Sequence, residues 1–235
     1  MNVPELGQSL GVLPERQMHA VLRDLARAED LWFDSCLDVG CGRTRYDRWF
    51  ARFERSTPGA RYIGLETDPE IIDELVAQGV DVRHALDAPG DCRSDLTLCI
   101  EVVEHVLPQD TPAFFEFVAA NTAKAMMLTT PNFEYWNGTR ALPEYRECRW
   151  IPDHLPSFDP EGGPHHHKQA MTPQSVHDYL TAAFPAPEWE VRVYRAWPWR
   201  LEDEASGRSF QLYFKIFATA WRPAAAGRAG AGGAS

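Results

Sequence analysis

Two carboxylates and an imidazole lie close together in the sequence Glu101-Val102-Val103-Glu104-His105. If a helical turn begins here, the i, i+3, i+4 spacing predicts that Glu101, Glu104 and His105 project from one face. Burying these groups together is costly unless something positive joins them. A divalent cation is the simplest candidate, although runs of this type can also shape a pocket or position a base without a metal.

A second group of candidate residues is the triple histidine His165-His166-His167, which is followed by Lys168. It ends a long segment rich in Pro, Gly and aromatic residues, which we expect to fold back over the same crevice. Three consecutive histidines can also be solvated and have no role. Two carboxylates with two imidazoles would suit Mg²⁺ or Mn²⁺. Such an ion would lower the pKa of a substrate hydroxyl, and His166 or His165 could accept its proton.

A glycine turn predicts a nucleoside cofactor. The sequence Asp38-Val39-Gly40-Cys41-Gly42 ends a predicted strand, and its glycines let a ligand approach the main chain. Any doubly wound protein can carry such a turn. Glu66 ends the next predicted strand, where its carboxylate can accept hydrogen bonds from both ribose hydroxyls. Arg45 replaces the further glycine of a dinucleotide-binding turn, which disfavours a bound pyrophosphate.

These residues need a scaffold, and the apolar runs predict one. The pattern indicates strands at 36–40, 61–66, 80–85, 95–101 and 124–130, helices at 14–28, 69–78, 111–123 and 173–183, and late strands at 189–195 and 209–221. This alternation is typical of an α/β, doubly wound, mostly parallel seven-stranded sheet, with an antiparallel C-terminal hairpin at its edge. In such a sheet both candidate sites lie at the carboxyl ends of the strands.

The chain is predicted to form one domain over 1–222, with an active-site lid at 132–172 and a disordered low-complexity tail at 223–235. The lid interleaves aromatic residues with Arg140, Arg146 and Arg149. Such a segment can stack on bases and pair with phosphates. Alternatively, the aromatic residues simply pack the lid and the arginines pair with neighbouring acids.

Composition narrows the function classes. The net charge of −11 disfavours broad, nonspecific binding to nucleic-acid backbones. No apolar run approaches the roughly 20 residues that span a bilayer, and the N-terminus lacks a secretory signal. The five cysteines are odd in number and unclustered, which fits a reducing cytoplasm. We therefore expect a cytoplasmic protein with no membrane contact and no obligate protein partner.

Residues 36–131 resemble the class I S-adenosylmethionine-dependent methyltransferases, whose first-strand motif is an acidic residue followed by Gly-x-Gly-x-Gly. Thr44 replaces the third glycine here. The resemblance implies a Rossmann-like fold in which the turn at 38–42, Cys41 included, lines the methionine moiety. It also implies that Glu66 holds the ribose and that Asp87 lies near the adenine amine.

The chain is also similar to the small-RNA 2′-O-methyltransferases, which methylate the ribose at an RNA 3′ end. They share the acid-x-x-acid-His cluster, a turn matching Pro131-Asn132, and a pair matching His167-Lys168 before a helix opened by Thr172. The chain departs from that family at His166, where an acid is usual, and at Gln169-Ala170-Met171.

This second resemblance implies an O-methyltransferase with a particular ligand set. Its metal ligands would be Glu101, Glu104, His105 and His167, and its substrate would be the RNA 3′ end. Two alternatives remain open. One is methylation of a hydroxyl on a small natural product or sugar, which the acidity favours, and the other is an inactive cofactor-binding interaction protein.

Overall fold

The computed structural model describes residues 14–87, 92–135, 167–203 and 208–223, which form one sheet with helices packed against it. The strands are β1 (Phe33–Val39), β2 (Ser56–Glu66), β3 (Val82–His84), β4 (Ser94–Ile100), β5 (Thr122–Pro131), β6 (Glu190–Asp203) and β7 (Arg208–Trp221). The helices are α1 (Pro14–Ala28), α2 (Tyr46–Phe50), α3 (Pro69–Ala77), α4 (Thr111–Asn121) and α5 (Pro173–Ala183). Short 3₁₀-helices, Ala85–Asp87 and Val103–His105, follow β3 and β4.

The seven strands lie in the order β3-β2-β1-β4-β5-β7-β6. Strands β1 to β5 run parallel to one another, and β7 runs antiparallel to both β5 and β6. The chain winds outward from β1 in one direction and from β4 in the other. A crevice therefore opens at the carboxyl ends of β1 and β4. This topology confirms the predicted sheet and its antiparallel C-terminal hairpin.

The strands are apolar because both faces of the sheet are covered. Along β5, Ala125 and Met127 pack with residues of α1 and α2, whereas Met126 and Leu128 pack on the other face with α4 and α5. Successive side chains of a strand point to opposite faces, so a strand between two helical layers needs apolar residues at every position. Continuous apolar runs are the result.

Local signals place the helix that follows the predicted lid. Thr172 accepts a hydrogen bond from the Ser175 amide, and the Ser175 hydroxyl accepts one from the Thr172 amide. Pro173 occupies the first helical position, where its missing N–H is not needed. Helix α5 begins at the predicted residue for this reason, and it fixes the chain that leads back to the crevice.

The element boundaries differ from the predictions in a few places. Strand β2 begins at Ser56 and β6 continues to Asp203, both beyond the predicted bounds. Helix α2 was not predicted, since its five residues are too few to show a helical period. Among the described residues, no helix combines the length and the apolar character needed to cross a membrane. Most of the predicted lid and the tail after 223 lie outside the described residues.

Candidate functional site

The glycine turn after β1 lies at the crevice. Gly40 and Gly42 both adopt left-handed backbone conformations, with φ of +68° and +52°. A Cβ on Gly40 would lie 2.6 Å from Cγ2 of Val102, whereas a Cβ on Gly42 would meet no atom of the described residues within 4 Å. Gly40 thus packs this turn against the segment after β4, and Gly42 leaves its backbone open to a ligand.

Asp38 lies buried beneath this turn, at 1% exposure. The Tyr62 hydroxyl donates a hydrogen bond of 2.6 Å to Oδ2, and Oδ1 has no hydrogen-bond partner among the described residues. Burial raises the pKa of Asp38 from 3.8 to about 7, with a further increase from the charge of Glu66 and a partial offset from the Tyr62 hydrogen bond. A buried oxygen without a donor is suited to a cationic ligand group such as an ammonium.

Glu66 joins the end of β2 to the glycine turn. Its Oε2 accepts a hydrogen bond of 2.9 Å from the Gly42 amide, and its Oε1 accepts one of 2.7 Å from the Thr67 amide. Each carboxylate oxygen offers about two acceptor positions. Glu66 can therefore hold the turn in place and still accept a ribose hydroxyl, which adds a structural role to the predicted one.

Asp87 and Cys41 differ in what their side chains can reach. Asp87 follows β3 at the same edge of the sheet, and its side chain is 87% exposed, with Oδ2 at 3.7 Å from Nδ1 of His84. The side chain of Cys41 is instead buried among Ile71, Leu75 and Val82. Only the backbone of Cys41 can therefore line a cofactor.

The spacing argument required Glu101 to lie on a helical turn with Glu104 and His105, but Glu101 lies outside that turn. It has a φ of +57°, and the 3₁₀-helix begins only at Val103. Its Oε1 accepts a hydrogen bond of 2.8 Å from the Thr129 hydroxyl, and its Oε2 forms an ion pair with Lys215 of β7. The predicted single face is wrong, because the backbone turns Glu101 towards β5 and β7.

Glu104 is nearly inaccessible, at 2% exposure. Its Oε2 accepts a hydrogen bond of 2.9 Å from the Thr130 hydroxyl, and its Oε1 is buried with no partner from another described residue. Burial, followed by the nearby charge of Glu101, raises the pKa of Glu104. A bound cation would satisfy the free oxygen and favour the ionised carboxylate.

The structure brings His167 to Glu104 and His105, as the sequence predicted. One ligand atom from each of the three residues lies within 4.8 Å of the others. The two imidazole rings meet edge to face, with centroids 5.0 Å apart. Burial, followed by the charge of His105, lowers the pKa of His167, which favours the neutral imidazole that binds metals. These three side chains fit a divalent cation.

Two residues of this site were missed in the sequence. The side-chain nitrogen of Gln169 lies 2.9 and 3.0 Å from the carbonyl oxygens of Val103 and Val106 and 2.7 Å from the Thr111 hydroxyl, and its two hydrogens are shared among these three acceptors. Lys215 comes from β7, far along the chain from Glu101. Neither residue carries a local pattern that would have found it. His165, His166, Arg140, Arg146 and Arg149 lie outside the described residues, so the predicted base and lid contacts stay predictions.

Comparisons with known proteins find likeness in structure only. No protein-family model matches the chain. No curated protein matches it in sequence. The methyltransferase domain of the bacterial protein CtHen1-CN matches with a TM-score of 0.56 and 13% identity, over 89% of this chain and 100% of that one. The fold is that of the class I methyltransferases.

Two further structures of this fold come from different settings. A chain of the Pnkp1/Rnl/Hen1 RNA repair complex matches with a TM-score of 0.53 and 18% identity over 87% of this chain, which spans 41% of its length. The plantazolicin methyltransferase BpumL in complex with SAH matches with a TM-score of 0.59 and 11% identity, over 88% of this chain and 82% of BpumL. The shared fold therefore does not select a substrate.

Proposed function

We propose that this chain is an S-adenosylmethionine-dependent O-methyltransferase that uses a divalent cation, Mg²⁺ or Mn²⁺, to methylate the 2′-hydroxyl of an RNA 3′-terminal ribose. The observation that carries the proposal is the contact between Gly40 and Val102, which packs the glycine turn against the segment leading to Glu104 and His105. A methyl donor on the turn and a cation on that segment would then act on one substrate.

Residues of the glycine turn and of the neighbouring strand ends would each bind a different part of the methyl donor. Asp38 would face the ammonium of the methionine moiety, the backbone of Gly40, Cys41 and Gly42 would line it, Glu66 would hold the ribose, and Asp87 would lie near the adenine. When bound, the donor supplies an electrophilic methyl group on a sulfonium. Asp38 and Glu66 therefore orient the donor and take no part in bond making.

The residues of the second cluster prepare the acceptor hydroxyl. Glu104, His105 and His167 would hold the cation, whose charge lowers the pKa of a hydroxyl placed beside it. Thr130 donates a hydrogen bond to one oxygen of Glu104, and the other, which is buried without a partner from another described residue, would be available to the cation. His166 or His165, the two predicted candidates for the base, would accept the hydroxyl proton.

The small-molecule alternative has one observation in its favour. The net charge of −11 disfavours a large electrostatic contribution to RNA binding, whereas a small neutral substrate needs none. On this alternative the same donor site and cation site would act on a hydroxyl of a natural product or sugar. We include the cytoplasmic location in either proposal, since Cys36, Cys41, Cys92 and Cys99 are buried free thiols.

A methylation assay with labelled methyl donor distinguishes the RNA proposal from the small-molecule alternative. The protein is incubated with Mn²⁺ and with short RNAs that end in either a 2′-hydroxyl or a 2′-deoxy nucleotide. We expect label only in the RNA with the terminal 2′-hydroxyl, and none with Glu104→Gln. Equal inertness towards both RNAs, with intact binding of S-adenosylhomocysteine, would leave the small-molecule alternative. Failure to bind S-adenosylhomocysteine would contradict the methyltransferase proposal itself.

A further inference from the structure

Glu101 is held by other side chains, although it lies beside the candidate metal ligands. Its Oε1 accepts the Thr129 hydroxyl, and its Oε2 is paired with Lys215. The Lys215 side chain is only 14% exposed, so this ion pair is shielded from solvent more than a surface pair. Glu104, by contrast, keeps an oxygen without a partner from another described residue. The two carboxylates are therefore not equivalent.

The geometry also separates Glu101 from the ligand cluster. Among the described residues, the group whose ligand atoms all lie within 4.8 Å of one another consists of Glu104, His105 and His167. Glu101 precedes the 3₁₀-helix that carries two of them, and its φ of +57° directs it towards β5 and β7. Non-glycine residues adopt this conformation at a cost, so neighbouring contacts must hold it. Thr129 and Lys215 provide those contacts.

The charges of the neighbouring residues also make Glu104, and not Glu101, the carboxylate available to a cation. Lys215 forms an ion pair with Glu101, so a bound divalent cation would meet one carboxylate without an ion-pair partner among the described residues, Glu104, and the imidazoles of His105 and His167. An ammonium within the site would also repel a cation that came into contact with Glu101. A set of one carboxylate and two imidazoles leaves about three positions of a six-coordinate ion for water and substrate oxygens.

We infer that this chain holds its cation through Glu104, His105 and His167 alone, and that Lys215 is a positioning residue that keeps Glu101 out of the coordination sphere. The inference rests on the proposed metal-assisted function, and it departs from the four-ligand set that the family resemblance implies. Two neighbouring hydroxyls of a ribose or sugar could then occupy open positions together.

Calorimetric titration of the full chain with Mn²⁺ tests this ligand set without measuring turnover. The decisive variant is the double substitution Glu101→Gln with Lys215→Met, which removes the ion pair and leaves the net charge unchanged. We expect its dissociation constant for Mn²⁺ to stay within about threefold of wild type, whereas Glu104→Gln should weaken binding more than about 100-fold, beyond the loss typical of outer-sphere partners. Lys215→Met alone should tighten binding at least about tenfold, because it frees the carboxylate of Glu101.

Lys124→Met is the matched control, since Lys124 pairs with Asp95 near the opposite end of β5. It should bind Mn²⁺ as wild type does. A loss in the double variant comparable to that of Glu104→Gln would overturn the inference, because Glu101 would then be a ligand. Failure of the wild type to bind Mn²⁺ would also overturn it. If the wild type failed to bind Mn²⁺ and the single variant Lys215→Met bound it, the Lys215 ammonium would occupy the cation's position.

Binding of S-adenosylhomocysteine is measured on the same samples. It shows that each variant is folded, and it reports on the proposed function separately from the ligand set. A protein that binds Mn²⁺ as expected but not S-adenosylhomocysteine would keep the three-ligand inference and lose the methyl-transfer proposal. The reverse result would keep methyl transfer and lose the inference.

Discussion

Asp38 and Glu104 share an arrangement that is rare for buried carboxyl groups. In each, one oxygen accepts a hydrogen bond from a hydroxyl, of Tyr62 or Thr130, and the other is buried without a partner from another described residue. An unsatisfied buried polar atom costs about 1–3 kcal/mol, so it usually has a functional reason. Asp38 belongs to the strand that leads into the Gly40 turn, and Glu104 to the 3₁₀-helix after Val102, where a donor and a cation are proposed.

The raised pKa of Asp38 predicts an unusual dependence of stability on pH. Between its ordinary value of 3.8 and the native value of about 7, the folded protein holds a proton that the unfolded chain has released. The contribution of Asp38 to stability is therefore complete at low pH and is lost as the pH rises towards 7. Asp38→Asn cannot ionise, so we expect its unfolding free energy at pH 8 to exceed that of wild type by about 1–3 kcal/mol, given about 1.4 kcal/mol per pKa unit.

Urea unfolding at several pH values between 4 and 8 measures this effect. The matched control is Asp34→Asn, which changes an exposed carboxyl of the same strand. It should keep the pH dependence of the wild type, since it leaves Asp38 in place. If Asp38→Asn and wild type lose stability in parallel as the pH rises, Asp38 is already ionised in the folded protein.

Hydrogen bonds from Lys168 and Gln169 join two elements of the site: the segment that carries His167 and the 3₁₀-helix that carries Glu104 and His105. Gln169 binds the 3₁₀-helix Val103–His105 and the start of α4 through its side chain, and the Lys168 amide donates to the Glu104 carbonyl at 2.6 Å. These contacts set the separation between His167 and the pair Glu104 and His105. The capping box of α5, which follows Gln169 in the chain, fixes where the helix starts.

Gln169→Leu should therefore weaken Mn²⁺ binding by about 10–100-fold, as expected for a residue that orients ligands. The reason is that the side-chain amide holds the 3₁₀-helix at a fixed distance from His167. Calorimetric titration gives the dissociation constant. Gln174→Leu is the matched control, since Gln174 is exposed on α5 and its side-chain amide donates a hydrogen bond to Asp178 of the same helix. Unchanged Mn²⁺ affinity in a folded Gln169→Leu protein would contradict the proposed role of the Gln169 side chain in holding the 3₁₀-helix near His167.

At the scale of the whole molecule, the position of each strand in the sheet determines how strongly it resists local unfolding. Strands β1, β4 and β5 are hydrogen-bonded on both sides and covered on both faces, whereas β3 pairs with β2 alone and β6 with β7 alone. Central strands of this kind open only when the whole domain unfolds. The glycine turn and the 3₁₀-helix after β4 are thus attached to the most stable strands, which keeps the candidate site in a fixed geometry.

Hydrogen exchange followed by mass spectrometry tests this hierarchy. We expect the amides of residues 96–99 and 126–128 to exchange at the rate of global unfolding, and those of β3 to exchange at least about tenfold faster because an edge strand can detach by itself. Destabilisation with low urea should accelerate the central strands more than β3. Equal protection of β3 and β4 would mean that the sheet opens as one unit.

The sequence by itself determined the alternation of strands and helices, the glycine turn and the start of α5. Each of these depends on local physical chemistry: apolar residues at successive strand positions, glycines at left-handed conformations, and a cap three residues from its partner. The convergence of His167 with Glu104 and His105 was also predictable, because consecutive parallel strands end at one edge of the sheet.

Only the tertiary structure decided what each site residue contacts. It turned Glu101 away from the ligand cluster towards Lys215, placed the Gln169 amide on the 3₁₀-helix, and buried the Cys41 side chain behind the turn. These partners come from strands and segments far apart in the chain, and one residue's backbone conformation redirects its side chain. Neither effect leaves a period or spacing in the sequence, so these contacts could be found only in three dimensions.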